Sequence, residues 1–153
     1  MTVIGLDRLR RKLTKTIPEA AQRRIKEAME QSANEAVALM QTLAPDGATG
    51  RLARSIGWTW GDAPRGSIAI ATSARRSNNM RITIYAGGGE AFYARFVEFG
   101  TAPHVNKGKF AGSQHPGTAA QPFFYPGWRV VRRRVKGRVT RAIKAAAKEA
   151  AAS

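Results

Sequence analysis

Cysteine is absent from the 153 residues, which excludes a disulfide framework, a thiolate metal site and a cysteine nucleophile. The absence is compatible with assembly in a reducing cytoplasm. Histidine is nearly as scarce: His104 and His115 are the only two. Neither has a carboxylate or third ligand at metal spacing, and no His-Glu-x-x-His pattern occurs, so both read as surface loop residues. No serine sits in a Gly-x-Ser-x-Gly turn, and Ser55 with His104 and Asp46 is an inventory rather than a triad. Gly87, Gly88 and Gly89 are not followed by Lys-Ser or Lys-Thr and complete no Gly-x-Gly-x-x-Gly pattern, so they read as a turn and not as a phosphate cradle. The sequence therefore predicts no enzyme and requires no cofactor. No apolar run approaches the ~20 residues that span a bilayer. Met1 to Lys15 mixes charges among its few apolar residues, unlike a signal peptide, which predicts a soluble, unexported protein with no membrane partner. Acidic residues are also few, 10 against 26 Lys plus Arg, for a formal charge of +16. Self-repulsion at that charge is large unless a partner neutralises it. Nucleic acid, an acidic protein neighbour and simple solvation of helix surfaces are three open readings of it.

What is present has a clear order. An apolar share of 43% suits one modest core, so residues 1–153 are expected to form a single domain. Leu6, Leu9 and Leu13 recur at helical spacing among basic residues, which predicts a helical arm over 1–15. Thr16, Pro18 and Glu19 make a capping-box pattern. The helix it opens carries Ala21, Ile25, Ala28, Met29, Ala33, Ala36, Val37, Met40 and Leu43 at steps of three and four, and Pro45, Asp46 and Gly47 stop it. The period then changes to two, at Ile56, Trp58 and Trp60, at Ile68 and Ile70, and at Met80, Ile82 and Ile84. Three strands follow, with Gly61 to Gly66 and Ser73 to Asn79 as hairpin-type returns. Phe92, Tyr93, Phe96, Val97 and Phe99 suggest a helical turn leading into a short strand. Residues 102–121 lack periodicity and predict a long loop, mobile in the isolated subunit and ordered at an interface. Pro126 opens a second long helix to about residue 150, with Trp128, Val131, Val135, Val139, Ile143 and Ala146 as its stripe. The fold class is α+β: a small antiparallel sheet of three to four strands against two long amphipathic helices.

Three segments together carry a resemblance. Thr49-Gly50-Arg51-Leu52-Ala53-Arg54-Ser55-Ile56, Tyr93-Ala94-Arg95-Phe96-Val97-Glu98-Phe99-Gly100-Thr101 and Gln121-Pro122-Phe123-Phe124-Tyr125-Pro126, in that order before a terminal helix, resemble the head-tail joining, or tail-completion, family of long-tailed double-stranded DNA bacteriophages. The Val-Glu-Phe-Gly-Thr core followed by a loop and Gln-Pro-Phe is the most specific part. The resemblance implies a small structural subunit of the virion neck, in a ring of identical copies, sixfold like the tail it meets. Its neighbours would be a head-side connector or stopper protein and a tail terminator or tail tube protein. The ring would surround the DNA exit path, a position with which sequence-independent contact to packaged DNA is compatible. The chain departs from the pattern in the insertion between Thr101 and Gln121 and in its strongly basic terminal helix. A dedicated DNA-binding protein acting through its basic helices is the competing reading.

The residues themselves say less. Glu98, between Val97 and Phe99, would in a strand face away from both and pair with an Arg of its own chain or of the next subunit. Gly100 permits a positive φ or a close backbone approach, and Thr101 can hydrogen-bond the turn that follows. Pro122 and Pro126 are expected to hold Phe123, Phe124 and Tyr125 extended before the helix; core packing is their simplest role, anchoring a neighbour the other. Arg132, Arg133, Arg134 and Arg138 are candidate contacts to DNA or an acidic partner. Phe110, flanked by Lys107 and Lys109, is a candidate anchor in a neighbouring pocket.

Overall fold

The computed structural model describes residues 19–73 and 80–152. The arm expected over 1–15 and the Thr16 and Pro18 half of the capping box lie outside them. The described chain is α1 (Glu19–Leu43), α2 (Arg51–Arg54), β1 (Gly57–Trp60), β2 (Ser67–Ser73), β3 (Arg81–Gly87), α3 (Ala94–Phe99), β4 (His104–Val105), β5 (Gln114–His115) and α4 (Phe124–Ala152). Short 3-10 turns occupy Gly89–Ala91 and Gly108–Phe110. The fold is α+β. It forms two compact units, residues 19–32 with 132–152 and residues 33–131.

The first unit pairs the start of α1 with most of α4. Ala21, Ile25, Met29 and Ser32 are buried, as are Val135, Ala142 and Ala146. The helices run antiparallel, because Arg24 meets Glu149 at one end and Arg138 Nη1 donates to Ser32 Oγ at 3.0 Å at the other. Ser32 Oγ in turn donates to the Ala28 carbonyl, so this buried hydroxyl is satisfied. The alanines allow close approach, and Ile25, Met29 and Val135 supply most of the apolar burial, at about 1.5–3 kcal/mol each.

The stripe on α4 differs from the expected one: Ala142 is buried, Val139 is half-buried and Ile143 is 40% exposed. A step of four residues turns roughly 40° past a full helical turn, so three such steps from Val131 carry Ile143 about 120° off the core face. Mixing steps of three and four, as Phe124, Val131, Val135, Ala142 and Ala146 do, stays on it.

In the second unit β3 is the middle strand, in the order β1-β3-β2, antiparallel to both neighbours. Its register pairs Trp60 with Ile82 and Ser67 with Gly87. The segment Gly61 to Gly66 is therefore not a hairpin return; it travels back along β3 so that β2 can start beside Gly87. Alternation fails on this central strand, where Ile82, Thr83 and Ile84 are all buried. Thr83 tolerates this because its hydroxyl donates to the Gly61 carbonyl at 2.5 Å. Trp58 and Trp60 meet edge to face at 6.3 Å, and Trp58 Nε1 donates to Asn34 Oδ1. α1 and α4 also approach in this unit, where a Cβ on Gly127 would meet Met40 Cγ at 2.8 Å.

Residues 102–121 are not without regular structure. β4 and β5 pair as a two-stranded ribbon, His104 opposite His115, with a further bridge between Thr101 and Thr118. Asn106 and Ser113 bond through both backbone and side chains, and the histidine rings stack at 4.9 Å. The ribbon was illegible because most of its residues face solvent, so no apolar-polar alternation marks its strands.

Candidate functional site

The three signature segments converge at the junction of α2, α3 and the start of α4. At its centre is Glu98, a carboxylate with 3% exposure. Oε2 accepts the backbone N–H groups of Phe123 and Phe124 at 2.8 and 2.9 Å, and Oε1 accepts that of Tyr125 at 3.0 Å. Residue 126 is proline and has no N–H, and the Gly127 N–H already reaches the Phe123 carbonyl. Every donor that a helix start normally leaves unpaired is thus satisfied or absent. One side chain, 25 residues away in sequence, caps α4, and its negative charge lies at the positive end of the helix dipole.

This corrects the expected environment of Glu98. Val97 to Phe99 lie in a helix, not a strand, and no cation pairs with Glu98 among the described residues. Phe124 and Tyr125 likewise sit in the first turn of α4 rather than in an extended segment, with Pro126 third in that helix. Phe123 and Phe124 are fully buried, in keeping with core packing. Gln121 is held by its N–H to the Val97 carbonyl at 2.8 Å, so the residue preceding Pro122 is tied to α3.

The other signature residues brace the same corner. Gly100 ends α3 at φ 70°, and a Cβ there would lie 2.6 Å from the Thr118 carbonyl oxygen, so both its angle and its surroundings require glycine. Thr101 departs from expectation: its backbone bridges Thr118, while its buried Oγ1 has no hydrogen-bond partner. Ser55 Oγ accepts the Gly87 N–H at 3.1 Å and donates to the Leu52 carbonyl, which fastens α2 to the end of the central strand. Leu52 and Ile56 are buried, and Gly50 takes φ 59° at the start of α2.

Beside Glu98 the same segments wall an open crevice of about 250 Å3. Pro45, Leu52, Tyr93 and Val97 give it an apolar lining; Asp46, Arg51, Thr118 and Gln121 supply polar groups. In the sequence Pro45 and Asp46 carry only the signal that stops a helix; nothing in their local pattern marks them as crevice lining. Phe92, Phe96 and Phe99, from the stretch expected to form a helical turn, are all exposed; their spacing of four and three marks a helix but not which side meets solvent.

The candidate contact residues lie elsewhere. Phe110 is at the ribbon tip, 68% exposed, between Lys107 and Lys109, which are also exposed. Arg132, Arg133 and Arg134 are exposed on α4 in the first unit, but Arg138 is half-buried and engaged with Ser32. The quartet is therefore a surface trio and one structural arginine. Among the described residues no group of three or more His, Asp or Glu could hold a metal ion, and no helix is long and apolar enough to cross a membrane.

Residues 7–100 match the family model HK97-gp10-like, described as "Bacteriophage HK97-gp10, putative tail-component". No curated protein and no solved structure matches the chain.

Proposed function

From the premise that this chain belongs to the HK97-gp10-like family of bacteriophage tail components, we propose that it is an architectural subunit of the virion neck, without catalytic activity. Identical copies close into a ring between the head-side connector or stopper and the tail terminator or tail tube, around the DNA exit path. The observation that carries this reading is the use made of the signature residues. Glu98, Gly100, Gln121 and Ser55 bond to backbone and brace one corner. They make a rigid seat, with the aromatic face of α3, the crevice and the ribbon left outward for neighbours. Sixfold symmetry follows from analogy with the tail alone.

Electron microscopy of particles assembled without this protein tests the role. Separate heads and tails, or tails that never join, are the expected result. Normal yields of joined, infectious particles would remove the neck reading.

Sequence-independent contact with DNA is a second reading, favoured by one observation. Arg129, Arg132, Arg133, Lys136, Arg141, Lys144 and Lys148 are all exposed on α4. Such a surface, with only Val130 and Ile143 as exposed large apolar groups, suits a polyphosphate backbone better than a dry protein interface.

A further inference from the structure

Two features of the unit 33–131 complement one another in shape and charge. The first is a knob, Phe110, which ends the 3-10 turn at the ribbon tip with Lys109 beside it and Lys107 just before. The second is the crevice walled by Pro45, Leu52, Tyr93 and Val97, with Asp46 among its polar groups. A dry cavity of roughly 150 Å3 suffices to hold a benzene ring. At about 250 Å3 the crevice admits one phenyl side chain and part of the backbone that carries it.

Charge favours the same match. Arg51, the cation of the crevice, faces Glu90 at 3.8 Å. Asp46 has no ion pair or hydrogen bond among the described residues, and in a chain of 26 cations and 10 acids an unengaged carboxylate beside an apolar crevice is a scarce feature. A lysine arriving with an aromatic anchor fits it.

The knob does not fill its own crevice. Thr118 and Ala119 line the crevice at the ribbon base, beside the bridge between Thr101 and Thr118. Phe110 stands at the other end of the ribbon, and at about 3.3 Å per residue the tip lies on the order of 20 Å from that base.

We infer that Phe110 of one copy seats in the crevice of a second copy, with Lys107 or Lys109 set against its Asp46. Knob and hole are different surfaces, so the contact is heterologous, and every subunit offers one of each. Repetition generates a ring where the rotation between copies closes. The inference rests on the reading of this chain as a ring subunit and specifies the contact that joins neighbours. A desolvated aromatic in a pocket, rimmed by charge, is the kind of contact that dominates an interface energetically.

The cysteine-free sequence permits disulfide trapping without background thiols. Ala111→Cys, beside the knob, and Val97→Cys, combined in the full chain, should on oxidation give a ladder of covalent multimers; each single variant should stop at dimers. In sedimentation velocity, Phe110→Ser should raise the concentration needed for association roughly tenfold or more. Lys107→Glu with Lys109→Glu should weaken association similarly, and adding Asp46→Lys should restore it. Oligomers that form normally in every variant, with no ladder from the paired cysteines, overturn the knob-and-crevice contact and leave the ring reading intact. A wild-type chain that stays monomeric in solution, with no ladder even in assembled particles, removes both.

Discussion

Glu98 is a position where a single side chain ties separate elements together. Its two oxygens serve three N–H groups, so truncation to alanine leaves three donors in a buried corner without an acceptor. At 1–3 kcal/mol for each such group the loss should reach about 3 kcal/mol or more. Urea denaturation monitored at the tryptophans measures it. Glu98→Gln keeps one oxygen but turns an amide NH2 toward other donors, so it should fall between alanine and wild type; a glutamine variant as stable as wild type would show that charge and the second oxygen contribute nothing. Gly100 provides a second test at this scale. Gly100 and Gly112 both have positive φ, 70° and 87°, but a Cβ meets the Thr118 carbonyl at 2.6 Å in the first case and nothing within 4 Å in the second. Replacing each with alanine incurs a similar backbone strain, of order 1–3 kcal/mol, so Gly100→Ala should be the more destabilising by the cost of the clash. Equal melting temperatures for the two variants would mean the ribbon base yields freely.

Element by element, the basic helix separates into parts with different work. Arg138 bonds Ser32 in a part-buried setting, so Arg138→Gln should lower stability, by roughly 1–3 kcal/mol. Arg132→Gln with Arg133→Gln, both exposed, should leave thermal unfolding nearly unchanged, within about 0.5 kcal/mol. If the outer face of α4 meets DNA, the same pair should weaken binding to duplexes of any sequence and reduce the salt slope by about 2, close to one per lost phosphate contact. Fluorescence anisotropy with unrelated duplexes at stepped salt separates the outcomes. Unchanged slopes mean that the face is solvated or meets protein; a salt-resistant, sequence-selective complex would instead favour a dedicated DNA binder. The thin apolar contact between α1 and α4 is also vulnerable: Ile25→Ala should cost on the order of 2–5 kcal/mol as a buried large-to-small change, read by circular dichroism.

For the whole molecule, a charge of +16 makes assembly and neutralisation part of one balance. Self-repulsion opposes the stacking of identical basic subunits, so association of the free protein should strengthen as salt rises and screens it. Polyanion binding should weaken over the same range. Opposite responses of the two processes to salt, by sedimentation and by anisotropy, would distinguish subunit contacts from DNA contacts without any substitution. Protease access adds a check inside the particle: trypsin should cut the exposed Lys107 and Lys109 early in the free subunit and slowly in joined particles. Equal rates would place the ribbon tip outside any interface.

The two long helices and the three strands of the sheet were legible because their signals are local. Period 3.6 on α1, stop residues at Pro45 to Gly47 and period two around Trp58, Ile70 and Ile82 depend on which neighbours along the chain are apolar. The order of the three segments that carry the resemblance was legible for the same reason, since it is a property of the chain alone. Tertiary structure decided what distance along the chain conceals. It paired β1 with β3 instead of β2, turned the expected strand at Glu98 into a helix, and placed that carboxylate under an N-terminus 25 residues away. Whether Glu98 meets an arginine or three amides depends on which donors the folded chain brings to it, and sequence spacing carries no record of that. The ribbon over residues 104–115 escaped notice for the opposite reason: its pairing uses backbone groups that every residue has, on strands that bury no face and so leave no pattern to read.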